Sequence, residues 1–324
     1  VKDNLIKSEI HGIIKLEQPD LVGINIFTPN YELVKEIIED YDSEITFIIG
    51  GQITKFVYNE IIEWKTSNKI IVVIGEGDLI VGDIIDQSMF PQNLSELELN
   101  RKFLNSDIQM NYFKLYEENI VTTRGCIYNC GFCGAARSLN KDILIRERSK
   151  EHVIKEITNL KLLFPKLQCI RILDDLFLKN RNNIQKAIEI FDDTKLQWRA
   201  MAHVLSFKDI EISLLERMKK SNCLELFIGI ESGSERIRKK IRKEGDIYNI
   251  KSVIYNLLSV GINVKGYFIY GFPDETIDDF EQTYKLAKEL KELSLKTTGS
   301  FRASAFQFRP YHGTELYNEI QTKI

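Results

Sequence analysis

The sequence predicts an α/β protein in two parts, a small doubly wound parallel sheet followed by a longer, partial parallel (β/α)6 barrel. Short apolar runs alternate with amphipathic helical stretches over most of the 324 residues. The runs are continuously apolar rather than alternating, the pattern of strands buried on both faces. Residues able to do chemistry gather where those runs end, and parallel barrels place their sites at the C-terminal ends of strands.

The first part opens in a helical stretch. DLVGINIF (20–27) reads as a strand, YELVKEIIEDY (31–41) as a helix and TFIIGG (46–51) as a second strand. KFVYNEIIEWK (55–65) is a helix and KIIVVIGEGD (69–78) a third strand. Three strands make a small, Rossmann-like sheet, so a first strand–helix–strand unit is expected to be missing before residue 1, and this domain spans 1–87. Residues 88–118 have weak periodicity and read as a linker, within which QMNYFKLYEEN packs against the next domain. The barrel occupies 119–312 and a C-terminal segment 313–324. Its strands are NIVTTR (119–124), 167–175, 196–203, 223–231, 263–271 and 300–308. Helices near 149–163, 181–191, 209–220, 234–259 and 276–293 separate them. These six strand–helix units make a TIM-like, partial barrel.

Composition excludes several classes. Apolar residues are 44% and charged residues 28%, ordinary for a globular protein, and a net charge of −3 gives no general attraction to nucleic acid or anionic membranes. No apolar run has the roughly 18–20 residues of a membrane span. The first residues lack the basic-then-apolar layout of a signal peptide. Five cysteines, three of them within eight residues, suit a metal site in a reducing cytoplasm better than a disulfide scaffold.

TRGCIYNCGFCGAAR sets Cys126, Cys130 and Cys133 in a C-x3-C-x2-C spacing. Thiolates are soft ligands for zinc or iron–sulfur clusters. A structural zinc needs four protein ligands, and no fourth Cys or His lies nearby in sequence. Three thiolates on a four-iron cluster leave one iron open. Cys169 and Cys223 sit inside apolar strands and read as core.

On this spacing the sequence resembles the radical S-adenosylmethionine superfamily. The resemblance implies a 4Fe-4S cluster on the three cysteines, with the open iron chelating the methionine moiety of S-adenosylmethionine. The reduced cluster then cleaves that cofactor to a 5′-deoxyadenosyl radical. It also implies an electron donor such as flavodoxin or ferredoxin. Phe132, before the last cysteine, is implied to pack near the adenine. FIGIESGSERIRKKI resembles the family's fourth-strand segment, which implies Glu231 and Ser232 at the ribose hydroxyls or the methionine amine; Ser232 or Ser234 read alone is a helix cap. GYFIYGFPDET resembles the fifth-strand segment, with Gly271 letting backbone approach the adenine. ILDDLFLKN resembles the second strand, implying Asp174 or Asp175 at the methionine ammonium. In the third strand relatives carry an Arg where this sequence has His203, a candidate acid or base for substrate, or a core histidine.

The domain order resembles the cobalamin-binding branch of that superfamily, which implies cobalamin against Gly50, Gly51 and Gly75. The Asp-x-His-x-x-Gly ligand motif is absent: Glu9-Ile10-His11 has Ile14 where glycine is needed, so no histidine is expected beneath the cobalt. The function expected is radical modification of a small or lipid-like molecule by methyl transfer, cyclisation or deoxygenation. The alternatives are an RNA-modifying enzyme resembling the methylthiotransferases and a non-catalytic, zinc-stabilised binding protein. Arg309, Tyr311 and His312 lie past the last strand, where they meet a polar substrate or tie down the chain end.

Overall fold

The computed structural model describes residues 2–77, 80, 82, 84, 101, 108–141 and 143–323. The chain divides into two compact units, Val1–Leu94 with Pro310–Ile324, and Ser95–Arg309.

In the first unit, helix α1 (Lys2–Glu17) precedes strand β1 (Leu21–Asn25), helix α2 (Tyr31–Glu39), strand β2 (Thr46–Gly50), helix α3 (Thr54–Ile61) and strand β3 (Lys69–Val72). The strands form a parallel sheet in the order β1-β2-β3. Phe47 and Ile49 of β2 pack with Ile38, Val57 and Ile61 from the helices into one core. The C-terminal helix α10 (Glu315–Gln321) belongs to this unit, where His312 Nδ1 lies 3.0 Å from Thr28 Oγ1 and its ring packs against Tyr31 and Tyr317. His312 therefore anchors the end of the chain. The division at Arg309, rather than after residue 312, follows from these contacts.

The second unit is built on a curled seven-stranded sheet in the order β12-β11-β10-β9-β8-β5-β4. Six of its strands are parallel: β5 (Tyr116–Ile120), β8 (Cys169–Ile172), β9 (Gln197–Ala202), β10 (Cys223–Glu231), β11 (Asn263–Tyr270) and β12 (Phe301–Gln307). The expected (β/α)6 order is present, as an open half-barrel. Part of the expected linker belongs to this sheet: β4 (Gln109–Met110) pairs antiparallel with β5 through a turn in which the Asn111 side chain accepts from the Phe113 and Leu115 N–H groups. The aromatic and polar residues of that stretch hide its strand character from apolar periodicity. Residues 88–100 and 102–107 of the expected linker lie outside the described residues. A short antiparallel pair, β6 (Thr123–Arg124) and β7 (Arg146–Glu147), brackets the cysteine loop.

Helices α4 (Lys150–Leu163), α5 (Arg181–Thr194), α6 (Ile212–Lys220), α8 (Ile247–Ser259) and α9 (Ile277–Ser294) cover the convex face, burying Ile170, Ala200, Leu226, Ile228 and Val264 among their own apolar residues. Alternation then turns Arg171, Arg199, Glu225, Phe227, Lys265, Tyr267 and Arg302 to the concave face. The single helix expected at 234–259 is two, α7 (Glu235–Lys240) and α8. Left-handed backbone at Arg242 and Gly245 breaks it, and the Arg238 guanidinium donates to the Glu244 and Gly245 carbonyls that the break frees.

Trp198 anchors the convex core. It is fully buried, stacks on Phe191 at 5.0 Å and donates from Nε1 to the Ser221 carbonyl at 3.0 Å. Trp198→Ala is expected to lower the stability of this unit by about 3–5 kcal/mol, read as a reduced urea midpoint by circular dichroism; a loss under ~1 kcal/mol would show that the cavity collapses at little cost.

Candidate active site

Three thiols on one loop, at the C-terminal edge of the curled sheet, form the centre of the site. The Asp174 carboxylate, buried past the end of β8, accepts from the Thr122 N–H and hydroxyl, both at 2.6 Å. Asp175 accepts from the Gly125 N–H at 3.0 Å, one residue before Cys126. Both aspartates thus orient the cysteine loop. Inside the loop, Cys133 N–H donates to the Cys130 carbonyl at 3.1 Å, and Gly131 N–H donates to the Ile241 carbonyl past α7 at 2.9 Å. Burial pushes all three thiols up, Cys133 to about 12, while Lys243 pulls them the other way. Ligation must therefore displace the thiol protons. Among the described residues no three His, Cys, Asp or Glu side chains converge on a single-ion site. A four-iron cluster spreads its thiolates over separate irons and does not require that convergence, so this donor set fits it.

Glu231 ends β10 with a left-handed backbone (φ 66°), after a register shift between Gly229 and Glu231. Its carboxylate folds back over Gly229, where a Cβ would stand 2.2 Å from Oε1; only glycine leaves that space. Lys243 Nζ donates to Glu231 Oε1 at 3.2 Å, both side chains being about nine-tenths buried. Sequence reading passed over Lys243, because its position depends on the helix break at 242–245. Arg238, fully buried, donates to the Ile230 carbonyl. Ser232 is also fully buried: its hydroxyl lies 3.0 Å from Thr283 Oγ1 and accepts from Ser234 N–H. That hydroxyl is spent inside the fold, and Ser234 is the cap of α7.

Phe132 packs edge-on against Phe272 of the Gly-Phe-Pro turn, centroids 5.6 Å apart, which brings the cysteine loop to the end of β11. Gly271 has φ 82° and open space where a Cβ would be, leaving its backbone approachable.

His203 is placed differently from an acid or base. Its Nδ1 accepts from the Leu205 N–H at 3.2 Å, its ring stacks on Tyr128 of the cysteine loop at 4.0 Å, and it is buried. Burial, and then Lys243 and Arg238, holds its pKa down at about 2. Such a ring is neutral near pH 7 and buttresses the loop.

In the first unit the three glycines separate. Gly75 (φ 94°) has nothing within 4 Å of a Cβ position, and Gly50 meets only Val73 at 3.9 Å. At Gly51 a Cβ would stand 2.3 Å from the Ile26 carbonyl oxygen, so the chain itself fills that space. Gly50 and Gly75 thus present open backbone at the ends of β2 and β3, which fits a nucleotide-like or corrinoid ligand. Gly51 serves the packing of β1. His11 Nε2 lies 2.8 Å from the Ile37 carbonyl and joins α1 to α2.

A half-barrel with a three-thiol loop at its C-terminal edge, in a chain that also carries a three-stranded parallel sheet unit, defines a class of cluster-dependent radical enzymes. The chain belongs to the Radical SAM superfamily, whose family model matches residues 120–287, and residues 3–85 match the B12 binding domain. The first family implies a 4Fe-4S cluster and S-adenosylmethionine, the second cobalamin. An uncharacterised methyltransferase of Pyrococcus horikoshii is 28% identical over 89% of this chain and 68% of its own length. The cytidylyl-2-hydroxyethylphosphonate methyltransferase of Streptomyces wedmorensis is 26% identical over 62% of this chain and 36% of its own. The cobalamin-dependent S-adenosylmethionine radical enzyme OxsB has the same fold (TM-score 0.69, 18% identity), covering 98% of this chain and 54% of its own. So does the radical methyltransferase TsrM of Kitasatospora setae, TM-score 0.64 at 13% identity, covering 98% and 69%.

Two measurements check the site. The His203 ring resonances are expected not to shift between pH 5 and 8. Because only the unfolded state takes up that proton, the histidine's contribution to stability is present above about pH 6.5 and falls as pH drops towards the folded value. A midpoint near 6.5 would place His203 in solvent. Lys243→Met leaves Glu231 buried and unpaired and should cost about 3–5 kcal/mol. The Lys243→Met/Glu231→Gln double variant should regain part of it, and equal loss in both would show that the two charges do not act as a pair.

Proposed function

We propose that this protein is a cobalamin-assisted radical S-adenosylmethionine enzyme that modifies a small or lipid-like molecule, methyl transfer being the reading its relatives favour. The observation that carries it is the set of Cys126, Cys130 and Cys133 on one loop, tied to the sheet by Asp174 and Asp175 and to Ile241 by Gly131. The three thiolates would hold a 4Fe-4S cluster with one iron left for S-adenosylmethionine. When bound, that pair supplies a one-electron cleavage of a carbon–sulfur bond, with the electron from a small donor protein.

The chain's own residues do the rest. Glu231 offers a carboxylate to the hydroxyls or the ammonium of S-adenosylmethionine, and Lys243 orients it. Phe132 and Phe272 offer an apolar wall, and Gly271 an open backbone, for the adenine. Gly50 and Gly75 offer open backbone that would lie against cobalamin, and His11 is engaged with the Ile37 carbonyl. No helix among the described residues is long and apolar enough to cross a membrane. The RNA-modifying reading is not favoured: the N-terminal unit matches a B12 binding domain.

The Cys126→Ala/Cys130→Ala/Cys133→Ala variant should lose bound iron and sulfide together with 5′-deoxyadenosine or S-adenosylhomocysteine formation. Retained cleavage of S-adenosylmethionine would sink the assignment. Protein supplied with cobalamin should keep its visible spectrum through desalting, and His11→Ala should keep it as well. Loss of cobalamin from the unsubstituted protein would reduce the first unit to a scaffold.

A further inference from the structure

The concave face of the half-barrel carries more positive charge than its carboxylates neutralise. Strand register lines up Arg171 with Arg199, Arg199 with Glu225, Phe227 with Lys265, and Lys265 with Arg302. These are two short rows that meet on β10 two residues apart, at Glu225 and at Phe227. Two carboxylates serve it. Glu225, with no exposed surface, accepts from Arg199 Nη2 at 2.7 Å and from Arg302 Nε at 2.7 Å; Glu117 accepts from Arg199 Nη1 at 2.8 Å. Both acids are thereby engaged by Arg199 and Arg302.

Arg171 and Lys265 remain. Among the described residues neither meets a carboxylate. Arg171 lies over the Phe227 ring at 5.1 Å, and its Nε is buried with no hydrogen-bond partner. Lys265 Nζ is 5.3 Å from the Tyr267 ring centre. The two rings are themselves stacked, 6.0 Å apart and 5° from parallel, so both cations flank one aromatic surface. Phe306 extends that surface edge-on from β12. Burial and the nearby Arg302, Arg171 and Arg199 outweigh the opposing pull of Glu225 and hold Lys265 below the usual lysine range. Holding four cations, three of them partly exposed, around two carboxylates is costly.

We propose that Arg171 and Lys265 form the subsite for an anionic group of the substrate, a carboxylate or a phosphate, whose flat unsaturated body lies on Phe227 and Tyr267. An anion would give the Arg171 Nε–H its missing acceptor and add negative charge where both carboxylates are already held by Arg199 and Arg302. This specificity device rests on the proposed radical function and adds to it that substrate lies against the concave face.

The test uses holoprotein with cluster and S-adenosylmethionine, and three probes: 2-naphthoate, 2-naphthyl phosphate and the neutral 2-naphthamide, each titrated by calorimetry. At least one anion should bind about tenfold or more tighter than the amide, the difference one charge-assisted contact makes. Arg171→Met and Lys265→Met should each remove most of that preference while leaving the amide unchanged. Arg171→Lys, which keeps the charge, should restore part of it. The stronger anion distinguishes carboxylate from phosphate. Equal affinity for all three probes, no measurable binding of either anion, or variants that bind anions as the parent does would overturn the subsite. Loss of S-adenosylmethionine cleavage-competence belongs to the triple-cysteine experiment, so a protein that cleaves the cofactor yet shows no anion preference refutes the subsite alone.

Discussion

The buried pair Glu231–Lys243 is the contact around which the site is arranged. Glu231 closes the central strand in a left-handed conformation, its carboxylate folded over Gly229. Lys243 reaches it only because the helix after β10 breaks at residues 242–245, and that break is held by Arg238 donating to the carbonyls of Glu244 and Gly245. The same segment accepts the Gly131 N–H of the cysteine loop at Ile241. One ion pair therefore registers the strand end, the helix break and the thiols relative to each other. In so poorly solvated a place, separating the two groups would leave a buried charge unpaired, which makes the arrangement rigid.

Around that pair the half-barrel separates its chemistry by face. The convex side is an apolar core in which Trp198 and Phe191 stack under the helices. The concave side is charged and aromatic, with Arg199 and Arg302 bound to Glu225 and with Arg171 and Lys265 carrying the surplus. Period-two alternation makes this division, and the register across five strands turns it into a continuous surface. Residues at strand ends divide again by task. Asp174, Asp175, Ser232 and His203 spend their side chains on bonds within the fold, whereas the Gly271 backbone stands open.

The elements were largely legible. Strands at 20–27, 46–51, 196–203 and 223–231 and the helices between them stand out because apolar runs and amphipathic periodicity record local burial. The β4–β5 hairpin did not, since Tyr112, Phe113, Glu117 and Asn119 carry no such pattern and their strand pairing is settled by β8. The paired aspartates illustrate a second limit. Sequence places them at a strand end, but which groups they accept from depends on Thr122 and Gly125, some fifty residues away.

What the sequence determined by itself is what depends on neighbours in the chain: the thiol spacing, the strand–helix order, the glycines at turns and the absence of a histidine motif. Tertiary structure decided which of these groups remain available to a ligand. Gly51 is filled by the Ile26 backbone while Gly75 is open, and His203 is kept neutral by burial and by cations distant in sequence. The charge surplus on the concave face likewise belongs to no segment. Burial and long-range charge depend on the positions of all strands together, so only the folded sheet contains that information.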